Sequence, residues 1–101
     1  MYVSRLAFHT QPGRTHDVEE ALKTLRDLVG AAGGSRPRIL RTHFASLGAP
    51  DLVFEQEAPD LAALESEITR VTQDPGFHQW SQHVSSLLAQ SPKREVYLVE
   101  G

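Results

Sequence analysis

The chain has 101 residues, of which 40% are hydrophobic and 23% charged, and its formal net charge is −3. This length predicts one domain, 1–101, with a hydrophobic core that needs neither disulfides nor metal. The absence of cysteine excludes thiol chemistry, and the negative charge argues against nucleic-acid binding, which requires a clustered positive field. No apolar run is long enough to span a bilayer, so we expect a cytoplasmic protein without membrane partners.

The first two predicted elements are a strand over residues 2–9 and an amphipathic helix. In the strand, Leu6 and Phe8 share one face, and the sequence Gln-Pro-Gly at 11–13 then signals a turn. The helix is indicated by apolar residues at 3.6-residue spacing, namely Val18, Leu22, Leu25, Val29 and Ala32. Two glycines at 33–34 end it, because glycine readily adopts the left-handed conformation that follows a helix.

A β-hairpin is predicted in the middle of the chain. Its strands cover residues 38–46 and 52–57, and the break between them contains Gly, Pro and Asp, which favour turns. Both strands alternate in polarity. A hairpin folded symmetrically about the break pairs Phe44 with Phe54, and we expect these two rings to face the helices.

The opposite face of this hairpin is predicted to carry matched charges. The same register pairs His43 with Glu55 and Arg41 with Glu57, each pair contributing roughly 0.2–1 kcal/mol. Val53 lies among these side chains and is expected to form a small apolar centre with Ala45 and Ile39. We therefore expect a partly polar interface on this face, formed by Arg41, His43, Val53 and Glu55.

Two further helices and a last strand complete the pattern. Asp60 is the expected N-cap of the second helix, whose apolar stripe comprises Leu61, Leu64, Ile68 and Val71. Asp74 is expected to cap a third helix with Pro75 at its first position, where a missing N–H costs nothing. That helix carries Trp80 on its apolar face. A strand over residues 94–99 ends the pattern.

The order of these elements is β-α-β-β-α(α)-β. Right-handed crossovers place both helical layers on the same side of one four-stranded antiparallel sheet. This is the ferredoxin-like α+β arrangement, and it leaves the other face of the sheet open.

Short motifs carry a family resemblance, namely Gln-Pro-Gly-Arg at 11–14, Val-Phe-Glu at 53–55 followed by Pro-Asp-Leu at 59–61, Asp-Pro-Gly-Phe at 74–77 and Glu-Val-Tyr at 95–97. With these motifs, nearly the whole chain resembles the dimeric α/β-barrel superfamily, near its antibiotic-biosynthesis monooxygenase and NIPSNAP-like branches. The resemblance implies a homodimer whose two open sheet faces meet. It also implies a ligand pocket between sheet and helices.

We expect that pocket to be lined by Trp80, His83, Phe44 and Phe54. His83 is the candidate acid–base group, because imidazole titrates near neutrality. The alternative is a core tryptophan beside a boundary histidine with no chemical role. Haem-degrading relatives use an asparagine on the first strand, and this chain contains no asparagine, so the resemblance does not imply haem degradation.

A metal site is conceivable but is not our prediction. His9, His43 and Glu55 could provide two histidines and a carboxylate, a common transition-metal set. Paired polar residues at a wet interface are the preferred interpretation, so we predict neither a metal nor another cofactor.

The sequence therefore predicts a small homodimer that binds a small apolar ligand. It would bind, or oxidise or isomerise without a cofactor, an aromatic or polyketide-like molecule. The alternative is a non-enzymatic ligand-binding or stress-related dimer. The sequence contains neither a Gly-x-Ser-x-Gly nucleophile motif nor a dinucleotide-binding fingerprint.

Overall fold

The computed structural model describes residues 1–34 and 36–101, which form four strands and three helices. In chain order these are β1 Tyr2–Phe8, α1 Thr15–Ala31, β2 Arg38–Arg41, β3 Leu52–Ala58, α2 Leu61–Gln73, α3 Pro75–Ser85 and β4 Lys93–Leu98. The strands pair antiparallel in the order β2-β3-β1-β4. This is the ferredoxin-like α+β fold that the element order predicted. Among the described residues, no helix is long and apolar enough to cross a membrane.

The core forms where the central strands face α1. Leu6 lies opposite Phe54 and Phe8 opposite Leu52 in the β1–β3 pairing, so these side chains share one face of the sheet. Phe8 and Leu52 are fully buried. The predicted apolar stripe of α1 covers them through its buried residues Val18, Leu22, Leu25 and Val29. The face assignments made from the sequence for β1 and β3 are therefore confirmed.

The register predicted for the hairpin is wrong. β2 ends at Arg41, and it is Ile39 that lies opposite Phe54. Phe44 instead belongs to the loop after β2, where its side chain is 91% exposed. There it contacts the ring of His43 edge-on, with 4.4 Å between the ring centroids. The expected pairing of the two phenylalanines does not form, and Phe44 is not part of the core.

The new register also reverses the faces of β2. It differs from the expected one by an odd number of residues, and an odd shift moves every side chain to the other side of the sheet. Ile39 therefore packs against the core. Arg41 lies opposite Leu52 rather than Glu57, and its Nη1 approaches Glu19 Oε1 of α1 at 3.9 Å.

Hydrogen bonds at the base of the β2–β3 loop explain why β2 ends at Arg41 and not at residue 46, where the predicted strand ended. The N–H and hydroxyl of Thr10 both donate to Asp51 Oδ2, at 2.9 and 3.2 Å. The N–H of Asp51 donates to the carbonyl of Phe8, and its own carbonyl accepts from the N–H of Thr42. The Thr42 hydroxyl joins the two ends of the loop by donating to the carbonyl of Pro50. Asp51 is thus fixed to β1, and the chain from Thr42 onward leaves the sheet.

Aspartates cap α2 and α3 as predicted. Asp60 Oδ1 accepts from the N–H of Ala63 at 2.8 Å, and Asp74 Oδ1 accepts from the N–H of Gly76 at 2.8 Å. Pro75 occupies the first turn of α3. These caps satisfy N–H groups that have no partner within their helices.

Replacing Asp74 with alanine should lower the free energy of unfolding by about 0.5–2 kcal/mol, because the N–H of Gly76 loses its acceptor. Urea denaturation measures this difference. Asp27→Ala is the matched control, since Asp27 is an exposed acid outside the first turn of α1. An equal loss in both variants would contradict a capping role for Asp74.

Phe54→Ala should cost about 3–5 kcal/mol, the usual loss for a buried phenylalanine. Phe44→Ala should change stability by no more than about 0.5 kcal/mol, because its side chain meets solvent. The same denaturation experiment compares the two variants. A large loss from Phe44→Ala would restore the register that the sequence predicted.

Candidate functional site

A cavity of about 250 Å³ lies between the sheet and the helices. Its volume is close to the roughly 300 Å³ at which typical small-molecule pockets begin. Most of its wall is apolar and includes Leu6, Phe8, Phe54, Val71, Phe77 and Trp80. Two of the residues predicted to bind a ligand, Trp80 and Phe54, therefore line the same cavity, Trp80 from α3 and Phe54 from β3.

Trp80 is held rigidly in this wall. Its indole Nε1 donates to the backbone carbonyl of Ala21 at 2.6 Å, which ties α3 to α1. Its ring lies 5.6 Å from that of Phe77, in a tilted arrangement. A buried tryptophan that has a partner for its N–H presents a fixed aromatic surface. The cavity thus has one flat wall suited to a ring.

Polar side chains also reach the cavity from three directions. Gln56 of β3 donates from Nε2 to Oε2 of Glu67 on α2, at 3.2 Å, and both residues are buried. Arg94 of β4 lies on the wall formed by the sheet. A buried carboxyl group requires such hydrogen bonds, because removing it from water is otherwise costly. Glu67 therefore brings a buried, hydrogen-bonded carboxyl group to the lining of the cavity.

The sequence contained a signal for these residues that motif searching missed. Gln56 lies two residues after Phe54 on the same strand. Because side chains alternate between the two faces of a strand, Gln56 shares the inward face with Phe54. Glu67 lies three residues after Leu64 and four before Val71, in the middle of the apolar stripe of α2. A polar residue at a position that the period assigns to the core is worth examining as a site residue.

His83 lies apart from this cavity. It is exposed on α3 and lines an open groove of about 750 Å³ between α1 and α3. The groove also contains Arg14, Asp17 and Glu20. Trp80 borders both spaces, but neither Phe54 nor Phe44 borders the groove. The structure therefore does not bring His83 together with the two phenylalanines that the sequence grouped with it.

The open face of the sheet carries a row of alternating charges. Arg38, Glu55, Arg5 and Glu95 lie opposite one another on the four strands. Glu55 is buried, and its Oε1 accepts from Arg38 Nη2 at 2.7 Å, which raises the pKa of Arg38. Arg5 Nε lies 3.5 Å from Oε2, and that oxygen has no hydrogen bond within the described part of the chain. The expected partner His43 is not involved, so that prediction is wrong.

An apolar row adjoins the charges. Leu40, Val53 and Ala7 lie opposite one another on β2, β3 and β1. Val53 thus lies on the open face, whereas Arg41 faces α1 and His43 lies in the β2–β3 loop. Of the apolar residues expected at the centre of this face, only Val53 lies there, since Ile39 packs against the core and Ala45 lies in the β2–β3 loop.

One group of possible metal ligands occurs among the residues that the structure describes. The ligand atoms of His16, Glu19 and Glu20 lie within 4.8 Å of one another at the start of α1. Lys23 Nζ already donates to Glu20 Oε1 at 2.9 Å, and this hydrogen bond lowers the pKa of Glu20. Glu19 faces Arg41. Both carboxylates thus have cations beside them, so we assign no metal here.

His9 instead connects two loops. Its Nε2 lies 3.1 Å from the carbonyl of Gly48, and its Nδ1 lies 3.0 Å from Nε2 of Gln90. Both ring nitrogens are therefore occupied in hydrogen bonds. His9, His43 and Glu55 do not form a group of neighbouring ligand atoms in the described ranges.

No protein-family model matches the chain, and no curated protein matches it in sequence. Solved structures do match. An uncharacterized NIPSNAP domain protein from Burkholderia xenovorans has a TM-score of 0.75 at 12% identity, with 99% of this chain and 95% of that chain covered. A candidate antibiotic biosynthesis monooxygenase from Nitrosomonas europaea has a TM-score of 0.71 at 17% identity, with 98% of each chain covered.

A second candidate antibiotic biosynthesis monooxygenase, from Bordetella bronchiseptica, has a TM-score of 0.67 at 23% identity, with 98% of this chain and 97% of that chain covered. At such identities the similarity shows the fold alone. The chain has the ferredoxin-like fold of antibiotic biosynthesis monooxygenase-like and NIPSNAP domain proteins, as its resemblance to the dimeric α/β-barrel superfamily predicted.

Proposed function

We propose that the cavity binds a small aromatic or polyketide-like molecule. The observation that carries this proposal is the combination of a mostly apolar wall with a few convergent polar groups, which is typical of ligand sites. Trp80 and Phe77 provide aromatic surface, and Gln56 and Glu67 provide hydrogen-bonding groups. The similar structures named as candidate monooxygenases add support, as likenesses of fold.

The chemistry that suits this site is proton transfer at an acidic C–H of the bound molecule. Glu67 takes the proton, and Gln56 holds its carboxylate in place through the 3.2 Å hydrogen bond. Isomerisation needs only the return of that proton to another atom of the same molecule. Oxygenation of the carbanion needs dioxygen as a second substrate. Neither route requires a cofactor from the protein.

The alternative is a ligand-binding or stress-related protein without catalysis. The observation that favours it is the position of His83, the acid–base candidate from the sequence, outside the cavity. Consumption of dioxygen when a molecule with an acidic C–H is bound would favour oxygenation. Exchange of its C–H proton with solvent, without consumption of dioxygen, would favour isomerisation. Binding with neither would favour the alternative.

2-Naphthol, a small neutral aromatic probe, should bind the chain in isothermal titration calorimetry and should quench the fluorescence of Trp80, the single tryptophan. Ser81→Phe should abolish binding, because Ser81 lines the cavity and a phenyl ring there occupies the space. Gln82→Phe is the matched control, since Gln82 is the exposed neighbour on α3 and lines neither space. Equal binding by both variants would place the probe elsewhere.

We also propose that two copies of the chain pair through their open sheet faces. The row of Leu40, Val53 and Ala7 would form the apolar centre of this homodimer, with the charged row beside it. Glu55 supports the proposal, because its Oε2 is buried without a hydrogen bond among the described residues, and a partner could supply a donor.

Val53→Glu should weaken the dimer at least about tenfold, or about 1.4 kcal/mol, because it introduces a charge in the apolar row. Sedimentation equilibrium measures the change, with His78→Glu, on the exposed surface of α3, as the control. Glu55 is less suitable for substitution, since its loss would also break its ion pairs within the chain. A wild type that remains monomeric at micromolar concentration would refute the homodimer.

A further inference from the structure

Arg94 has an unusual position for a residue of an edge strand. The β1–β4 register places it opposite Leu6, on the side of the sheet that faces the helices. The residue is exposed overall, yet its Nη1 donates to Oγ of Ser4, which is only 1% exposed. One end of the guanidinium thus reaches a buried hydroxyl on the inner face of the sheet, although long charged side chains usually carry their charge out to water.

Among the described residues, the guanidinium of Arg94 has a neutral hydrogen-bond partner and forms no ion pair with a carboxylate. The ion pairs found among residues 1–34 and 36–101 use other cations, namely Arg5, Arg14, Lys23, Arg38 and Arg41. Burial lowers the pKa of Arg94. A guanidinium has five N–H donors, of which the hydroxyl of Ser4 accepts from one. Its remaining capacity suits a planar acceptor with two oxygens.

The cavity wall shows where such an acceptor would lie. Arg94 lines the cavity on the side of the sheet, while Glu67 lines it from α2 and is hydrogen-bonded to Gln56. Glu67 forms no ion pair with Arg94 among the described residues, so the two charges are separate features of the wall. A bound anion would therefore direct its charge toward Arg94 and away from Glu67, with its ring against Trp80.

We propose that the ligand of this cavity is a small aromatic carboxylate, whose two oxygens accept hydrogen bonds from the Arg94 guanidinium. This inference rests on the proposed binding function of the cavity and adds the charge of the ligand. An apolar ligand without an acid would leave the guanidinium uncompensated. A carboxylate would neutralise it while the apolar wall holds the ring.

Two probes of the same shape test the charge directly. 2-Naphthoate carries a carboxylate, and 2-naphthamide is its neutral counterpart. Calorimetry on the wild-type chain near neutral pH should give a dissociation constant for the naphthoate that is lower by about tenfold or more. This comparison requires no variant, so it does not depend on how a substitution affects folding.

Variants then assign the preference to one side chain. Arg94→Met keeps most of the stem and should remove the preference for naphthoate, because the carboxylate then loses more affinity than the neutral amide. Arg94→Lys should restore part of the preference, because a lysine keeps the charge without the planar fork. Arg26→Met, an exposed arginine of α1, is the control and should bind both probes as the wild type does.

The possible outcomes separate the two proposals. Equal affinity of the wild type for both probes would overturn the carboxylate inference and leave the binding function standing. A naphthoate preference that persists in Arg94→Met would also overturn the inference, because another group would then hold the acid. If 2-naphthol and both naphthalene probes fail to bind the wild type, the binding function fails, and the inference that rests on it fails with it.

Discussion

In the centre of the sheet, Leu6 lies opposite Phe54 and Phe8 opposite Leu52, so four apolar side chains form one surface beneath the helices. Every other feature of the molecule depends on this register. Side chains alternate along a strand, so a slip of one residue would expose this surface and bury charges such as that of Arg5. Burying the surface under α1 fixes the helical layer, and the same alternation directs the charged row to the open face.

The order of the elements could be predicted from the sequence because it depends on local periodicity and on caps such as Asp74. The register of β2 could not. Symmetric pairing offered an aromatic contact between Phe44 and Phe54, but the strand ends where Asp51 is tied to Thr10, 41 residues away in sequence. A hydrogen bond between such distant residues leaves no periodic trace in the sequence. Burial of Ile39 on the core side then takes the place that Phe44 was expected to fill.

The candidate site was predicted in part for a similar reason. Trp80 and Phe54 belong to apolar patterns, so their inward position followed from spacing. The polar residues of the cavity lie at positions that the same patterns assign to the core, but the sequence analysis assigned them no role in a site. Glu67 lies within the stripe of α2, and Arg94 precedes Val96 by two residues on the face that it shares. Searching for exceptions within a period would have found both, whereas His83 was chosen because imidazole titrates near neutrality.

The charges on the two faces of the sheet differ in their partners. On the open face, Glu55 is buried between Arg38 and Arg5, so its charge is compensated within the chain. On the inner face, Arg94 has a neutral hydroxyl as its hydrogen-bond partner. A partly buried charge without a counter-ion costs stability, and an apolar side chain at that position would avoid the cost. The carboxylate proposed as the ligand of the cavity would give Arg94 the counter-charge that Arg38 and Arg5 give to Glu55 on the open face.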